Sequence, residues 1–200
     1  MTITHTHHFA ALWPETEAIA ARGLIGLACV CYMPLVAPAG GTTPLFGTNP
    51  ISLSWPWPKQ APIVIDMATA TMAQGEVQIA TREGRTVPLG TGLDANGNPT
   101  IDPNEILKGV MLPFGGHKGS AIALMVELLA AGAVGEFLLA ISPELLSGPD
   151  WAEHCELFFR RFESIEGARL PGARRHKNRL SAAPRNIDAE LVERIRKLCE

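Results

Sequence analysis

From Gly23 to Pro58 the chain carries no charged residue, and a stretch of that kind belongs in a protein core or a membrane. Pro34, Pro38, Pro44 and Pro50 interrupt it, so no part approaches the ~20 apolar residues that a membrane helix requires. Leu24 to Cys31, followed by Ala37-Pro38-Ala39, imitates a secretory signal and its cleavage site. The residues ahead of it carry Glu15 and Glu17 against a single Arg22, which is the wrong sign for the start of a signal. Buried strands remain: a continuous apolar strand from Ile25 to Tyr32, and a second from Ile51 to Trp55.

With 46% apolar and 18% charged residues among 200, the chain can bury a core, which excludes fibrous and disordered classes. Nineteen Gly and sixteen Pro point to many turns between short elements and so to mixed α and β structure. A net charge of −3 is too balanced for holding nucleic acid or an anionic membrane by overall charge. Cys29, Cys31, Cys155 and Cys199 form no Cys-x-x-Cys pair and no disulfide framework, which fits a reduced, cytoplasmic protein. Cys29 and Cys31, two apart in an apolar run, read as core residues on one strand face.

Further elements follow from local signals. Pro14 opens a helix near residues 9–22, with Glu15 and Glu17 at its positive end, Arg22 at its negative end and Gly23 after it. Ile63-Val64-Ile65-Asp66 reads as a short strand ending in a carboxylate. Val77-Gln78-Ile79 alternates, and Glu83-Gly84 before Thr86-Val87 signals a hairpin, which puts Glu76 at the start of a strand. Asp94 to Pro99 is turn chemistry. Its calcium-loop spacing (Asp94, Asn96, Asn98, Glu105) fails at the sixth position, where Pro99 replaces the glycine that such a loop needs. The longest helix is expected from about Ser120 to Gly132, apolar nearly all round and therefore buried. Asp150 and Glu153 suggest a capping box for a helix whose face is Trp151, Cys155, Phe158, Phe162 and Ile165. A last helix from Asp188 to Cys199 places Leu191, Ile195 and Leu198 together.

Three groups of residues suit an anion. His5-Thr6-His7-His8 lacks the further ligands of a metal site, and no metal is expected; at a strand-to-helix junction its imidazoles and amides suit a phosphate. Gly115-Gly116-His117-Lys118-Gly119 allows close backbone approach beside a lysine, without Walker or G-x-G-x-x-G spacing, and reads equally as a helix-capping turn. From Arg160 to Arg185 eight basic residues face two acidic ones, whereas residues 1–159 hold six basic residues. That patch suits a nucleotide phosphate or a solvated face; RNA ranks lowest because no aromatic residue follows Phe162 within it. Asp66 and Glu76 are the carboxylates best placed to serve a site, or else a turn cap and an ordinary strand-end charge.

Together, His7-His8-Phe9-Ala10-Ala11-Leu12-Trp13, Pro44 to Pro50, Ile65-Asp66-Met67-Ala68, Leu112 to Gly119 and Arg169-Leu170-Pro171-Gly172-Ala173-Arg174-Arg175 resemble the malate/L-lactate dehydrogenase-like oxidoreductases outside the Rossmann group. The first segment and Gly119-Ser120-Ala121 look most like its cyclic imino acid branch, the piperideine-2-carboxylate and pyrroline-2-carboxylate reductases. The resemblance implies an α+β, non-Rossmann NADPH-binding fold: a mainly antiparallel mixed sheet flanked by helices, in a homodimer. It implies cofactor contacts at His7, His8, Phe9, Ala10, Ala11, Asp66, Met67, Ala68, His117, Lys118, Arg169, Leu170, Pro171, Gly172, Ala173, Arg174 and Arg175. Substrate contacts fall at Thr48, Gln74 and Gly75, and Glu76 takes the acidic place in a charge relay. A 2′-phosphate suits guanidinium forks, favouring NADPH over NADH.

The resemblance further divides the chain into a dinucleotide-binding part, residues 1–148, and a C-terminal helical segment, 149–200, that bears the basic motif. The family's proton-donating histidine, its neighbouring serine and a substrate-binding arginine lie in a region ahead of Met1, and the connection near Phe137 is short. This chain is therefore expected to reduce a cyclic imino acid slowly or not at all, and to expose an apolar seam. A 2-keto acid substrate, or a silent dinucleotide-binding remnant, are the alternatives.

Overall fold

In the computed structural model, which describes residues 2–4, 11–130, 135–181, 187 and 189–198, the chain opens with strand β1 (Thr2–Thr4) and helix α1 (Trp13–Ala20). Pro14 and Glu15 occupy the first turn of α1, where a missing amide hydrogen is tolerated and a carboxylate meets the positive end. At the other end Arg22 Nη1 donates to the Ala18 carbonyl at 2.9 Å, and Gly23 turns the chain with φ +81°. The charge-free run supplies β2 (Ile25–Val30) and β3 (Ile51–Trp55), and β4 (Ile63–Met67) follows. β2 stops short of Tyr32, which is exposed.

Residues 74–82 correct the hairpin reading. Gln74–Arg82 is a helix, α2, and Glu76 stands in its first turn rather than at the start of a strand. Its buried residues, Val77 and Ala80, are three apart, the helical interval, and pack with Val36, Phe46 and Ile106. Glu83-Gly84 closes the helix instead of turning a hairpin: Gly84 has φ +64°, its amide donates to the Thr81 carbonyl and that of Arg85 to the Ala80 carbonyl, a Schellman end.

A small sheet follows. β5 (Gly92–Leu93) pairs with β6 (Pro99–Thr100) and, after α3 (Pro103–Lys108), with β7 (Val110–Met111). Asp94 Oδ1 accepts the amides of Asn96 and Asn98 at 2.9 and 2.8 Å, so the expected turn is an Asx turn. Helix α4 (His117–Ala130) begins three residues earlier than expected and leads to β8 (Gly135–Ile141), α5 (Pro143–Ser147), α6 (Trp151–Glu163), α7 (Ala173–Arg179) and α8 (Ala189–Leu198).

The main sheet has the order β1-β8-β2-β3-β4, antiparallel throughout. β2 is covered on both faces. Ala28 and Val30 meet Leu12 just ahead of α1, while Cys29 and Cys31 meet Val126 and Ala130 of α4. Alternation along the strand sends these sets to opposite sides. α1 seats closely because Gly26 has no side chain: a Cβ there would lie 2.7 Å from the Thr16 carbonyl. Thr16 and Ser54 hydroxyls are 2.8 Å apart, as are those of Thr16 and Ser52. This α+β, antiparallel architecture is the one the resemblance implies.

Three further details differ from expectation. α4 is not buried all round: Ala123, Val126 and Ala130 face the core, while Leu124, Met125, Leu128 and Leu129 are exposed. Asp150 is the N-cap of α6 but its side chain makes no capping bond. The residue that buries α6 is Phe159, packed on Trp57, Ile63 and Leu170, whereas Phe158 is exposed. Helical periodicity alone fits either phenylalanine. The contacts of Trp57, whose ring centroid is 4.8 Å from that of Phe159 and whose Nε1 donates to Glu156, decide it.

Candidate functional site

The basic motif folds onto the start of α1. Gly172, with φ +82°, turns the chain into α7 so close to edge strand β4 that a Cβ would lie 3.1 Å from the Val64 carbonyl. α7 then lays two guanidinium groups over the Trp13 indole, Arg175 at 4.6 Å and Arg179 at 4.8 Å from the ring centroid, a cation–π arrangement. A cleft of about 390 Å³ is lined by Trp13, Gly172, Arg174, Arg175, Asn178 and Arg179.

Asp66 joins this cleft to the sheet. Its Oδ2 accepts the Trp13 amide at 3.1 Å, capping from a distant strand the end of a helix whose own N-cap, Leu12, offers no side-chain acceptor. Burial raises the Asp66 carboxyl above its ordinary range, while the Trp13 amide and the Arg175 charge pull it down. Glu17, one turn along α1 from Trp13, accepts two bonds from Arg179, Nη1 to Oε1 and Nη2 to Oε2, each 2.6 Å. His176 Nδ1 lies 3.7 Å from Glu17 Oε1, and its Nε2 is 3.0 Å from the Pro62 carbonyl. The Arg179 bond holds the Glu17 carboxyl below the usual range against desolvation, with the charges of Arg179, His176 and Arg175 adding to it. Arg175 Nη1 is different: it is buried and has no hydrogen-bond partner among the described residues.

A second cavity, about 350 Å³, opens where β4 ends and is lined by Met67, Ala68, Ala70, Thr71, Met72, Ala73 and Phe114. Backbone bonds gather the remaining segments around it. The Thr48 carbonyl accepts the Thr69 amide at 2.9 Å, and the Thr69 carbonyl accepts the Phe114 amide at 3.0 Å. Gly115 and Gly116, at φ +56° and +62°, then turn into α4. There a Cβ on Gly119 would collide with the Phe114 carbonyl. His117 and Lys118 are exposed in the first turn of α4. Gln74 and Gly75 follow Ala73 directly and open α2; Glu76 beside them is exposed.

Asp66 at the basic cleft and Met67 and Ala68 at the second cavity are consecutive residues of one edge strand and its exit, so β4 connects the two. Arg169, Pro171, Ala173 and Arg174 are exposed, and Leu170 is half-buried against Trp57 and Phe159, anchoring the motif. Ala11 is half-buried just ahead of α1; His7, His8, Phe9 and Ala10 lie outside the described residues. The sequence reading gave no site role to Trp13, Glu17, His176 or Arg179. Their signal was present as two matched helical intervals, Trp13 to Glu17 and Arg175 to Arg179, whose facing requires knowing that α7 docks on α1. Among the described residues no group of His, Cys, Asp and Glu could hold a metal ion, and no helix is long and apolar enough to cross a membrane.

A sequence model of malate/L-lactate dehydrogenase matches residues 1–196. The chain belongs to this family. A Delta(1)-pyrroline-2-carboxylate/Delta(1)-piperideine-2-carboxylate reductase of Pseudomonas putida is 42% identical over 201 residues, covering 90% of this chain and 59% of the relative. The crystal structure of delta1-piperideine-2-carboxylate reductase from Pseudomonas syringae pv. tomato superposes with a TM-score of 0.88 at 42% identity, over 98% of this chain and 67% of that one. Sulfolactate dehydrogenase from Methanocaldococcus jannaschii gives a TM-score of 0.81 at 28% identity, over 96% and 63%. The chain thus spans about three fifths of the length of the curated relatives it matches.

Proposed function

We propose that this member of the malate/L-lactate dehydrogenase family serves the NADPH-dependent reduction of a cyclic imino acid, piperideine-2-carboxylate or pyrroline-2-carboxylate, to pipecolate or proline. The observation that carries the cofactor assignment is the buried Nη1 of Arg175, without a hydrogen-bond partner among the described residues, in a cleft lined by guanidinium groups. A buried donor without a partner is costly, and a phosphomonoester dianion is a fitting acceptor for it. NADH has no phosphate at that end. The names of the relatives supply the substrate class.

In this reading Arg174 and Arg175 receive the 2′-phosphate, and Asp66, Met67 and Ala68 carry the dinucleotide along β4 towards the second cavity. His117 and Lys118 face the pyrophosphate at the α4 turn, the lysine as a point charge, and the His7 to Ala11 segment completes the cofactor site. When bound, NADPH supplies hydride to the carbon of the C=N bond. Thr48, bonded to Thr69, and Gln74 and Gly75, next in the chain to the cavity residue Ala73, orient the substrate, and Glu76 is the acidic member of the relay that feeds the proton. The reading includes a homodimer.

Calorimetric titration of the 200-residue chain with NADPH and NADH tests this. NADPH is expected to bind at least about tenfold more tightly than NADH, and Arg175→Ala to abolish the difference. Equal affinities, or no binding of either, overturn the cofactor assignment. Parallel turnover assays with pyrroline-2-carboxylate and pyruvate separate imine reduction from 2-keto acid reduction, and binding without turnover marks a silent dinucleotide-binding chain.

A further inference from the structure

Two arginines approach the same indole, but they are not in equivalent states. Arg179 presents both terminal nitrogens to the two oxygens of Glu17, an end-on fork in which its donors toward that side are satisfied. Arg175 has a buried nitrogen with no hydrogen-bond partner among the described residues. The difference arises from facing helices. Trp13 and Glu17 are one turn apart on α1, Arg175 and Arg179 one turn apart on α7, so each helix presents two rungs to the other.

We propose that Glu17 is the positioning residue of the basic cleft: by engaging Arg179 it fixes α7 over Trp13 and leaves Arg175 as the guanidinium that receives a phosphate. The proposal rests on the dinucleotide reading of the cleft.

Three features separate Glu17 from an incidental surface ion pair. Its side chain is only 12% exposed, while Arg179 is 45% exposed, so the carboxylate is the fixed member and the arginine comes to it. Both bonds are short, and His176 beside them packs 3.7 Å from Glu17 Oε1 while its Nε2 lies 3.0 Å from the Pro62 carbonyl beside β4. α7 is therefore held at two places, helix to helix and helix to sheet edge. In addition, α7 is a single short helix of seven residues, too short to hold its shape in isolation. Its orientation has to come from tethers of this kind.

The test is nucleotide preference rather than stability alone. In Glu17→Ala the tether is lost, and NADPH affinity is expected to fall by about tenfold while NADH affinity changes by less than about twofold. Adenosine 2′,5′-bisphosphate and AMP serve as smaller probes and should show the same split. The charge-exchanged double variant Glu17→Arg/Arg179→Glu restores the ion pair with the same net charge and should recover the wild-type NADPH:NADH ratio. NADPH binding that is unchanged or tighter in Glu17→Ala overturns the proposal, because Arg179 is then either idle or a better phosphate ligand when released. If Glu17→Ala does not fold, a folded double variant that has lost the NADPH preference overturns it as well. Wild-type protein that binds NADPH and NADH equally removes the 2′-phosphate reading of the cleft and this inference with it, whereas a preference that survives in Glu17→Ala removes the inference alone.

Discussion

Glu136 is the residue whose chemistry is most at odds with its place. It stands in β8 opposite Ile3 and Val30, fully buried, with neither carboxylate oxygen hydrogen-bonded among the described residues. Burial, with a smaller contribution from the Glu15 charge, raises its carboxyl from 4.5 to about 7. The folded state therefore holds this proton more tightly than the unfolded chain does. Stability from this group is greatest below pH 4.5, declines as pH rises through the interval to about 7, and is level above it. The full shift corresponds to roughly 3 kcal/mol. Glu136→Gln is expected to remove that decline, so that wild-type and variant urea midpoints separate at pH 8 and converge at pH 5. Burial likewise raises the Cys29 thiol to about 11, with Cys31 and Glu136 adding to the effect. A core thiol of this kind is unreactive, as its place in an apolar run suggested. Glu136, in contrast, was not legible in the sequence: one acid in a seven-residue apolar strand looks like an edge charge until the sheet closes over it.

At the scale of elements, Gly172 is the joint on which the basic motif depends. A left-handed residue costs any L side chain about 1–2 kcal/mol, and here the new Cβ would also press on the Val64 carbonyl. Gly172→Ala should lower the melting temperature and weaken NADPH binding more than NADH binding, measured by calorimetry, because it lifts α7 from β4. Much of this scale could be read in advance. The strands of the charge-free run, the Asp94 turn, Pro14 at the head of α1 and the glycine turn before α4 each have one dominant local signal. α2 was missed because Val77-Gln78-Ile79 satisfies a two-residue period as well as a helical one. Only the core formed by Val36, Phe46 and Ile106 selects the face that Val77 and Ala80 share. The basic motif and the glycine turn were legible individually as local segments. That the first lies at a basic cleft and the second beside another cavity was not, since it depends on β4 lying at the sheet's edge.

For the whole molecule, the exposed side of α4 matters most. Leu128 is 76% exposed, with Leu124, Met125 and Leu129 beside it, and contiguous apolar surface of this sort promotes association. Leu128→Lys removes a side chain that contributes little to the core, so unfolding free energy should change by less than about 0.5 kcal/mol. Light scattering at rising protein concentration should show reduced self-association.

The sheet's order also governs how this chain must be made. The middle strand, β2, finds one neighbour soon, in β3, but its other neighbour, β8, is over a hundred residues downstream. Until synthesis has passed Ile141, the growing polypeptide offers a bare row of amide and carbonyl groups along the Ile25–Val30 backbone. Such an unfinished margin attracts any extended peptide nearby, which makes the interval before β8 leaves the ribosome the time when this protein most needs a chaperone.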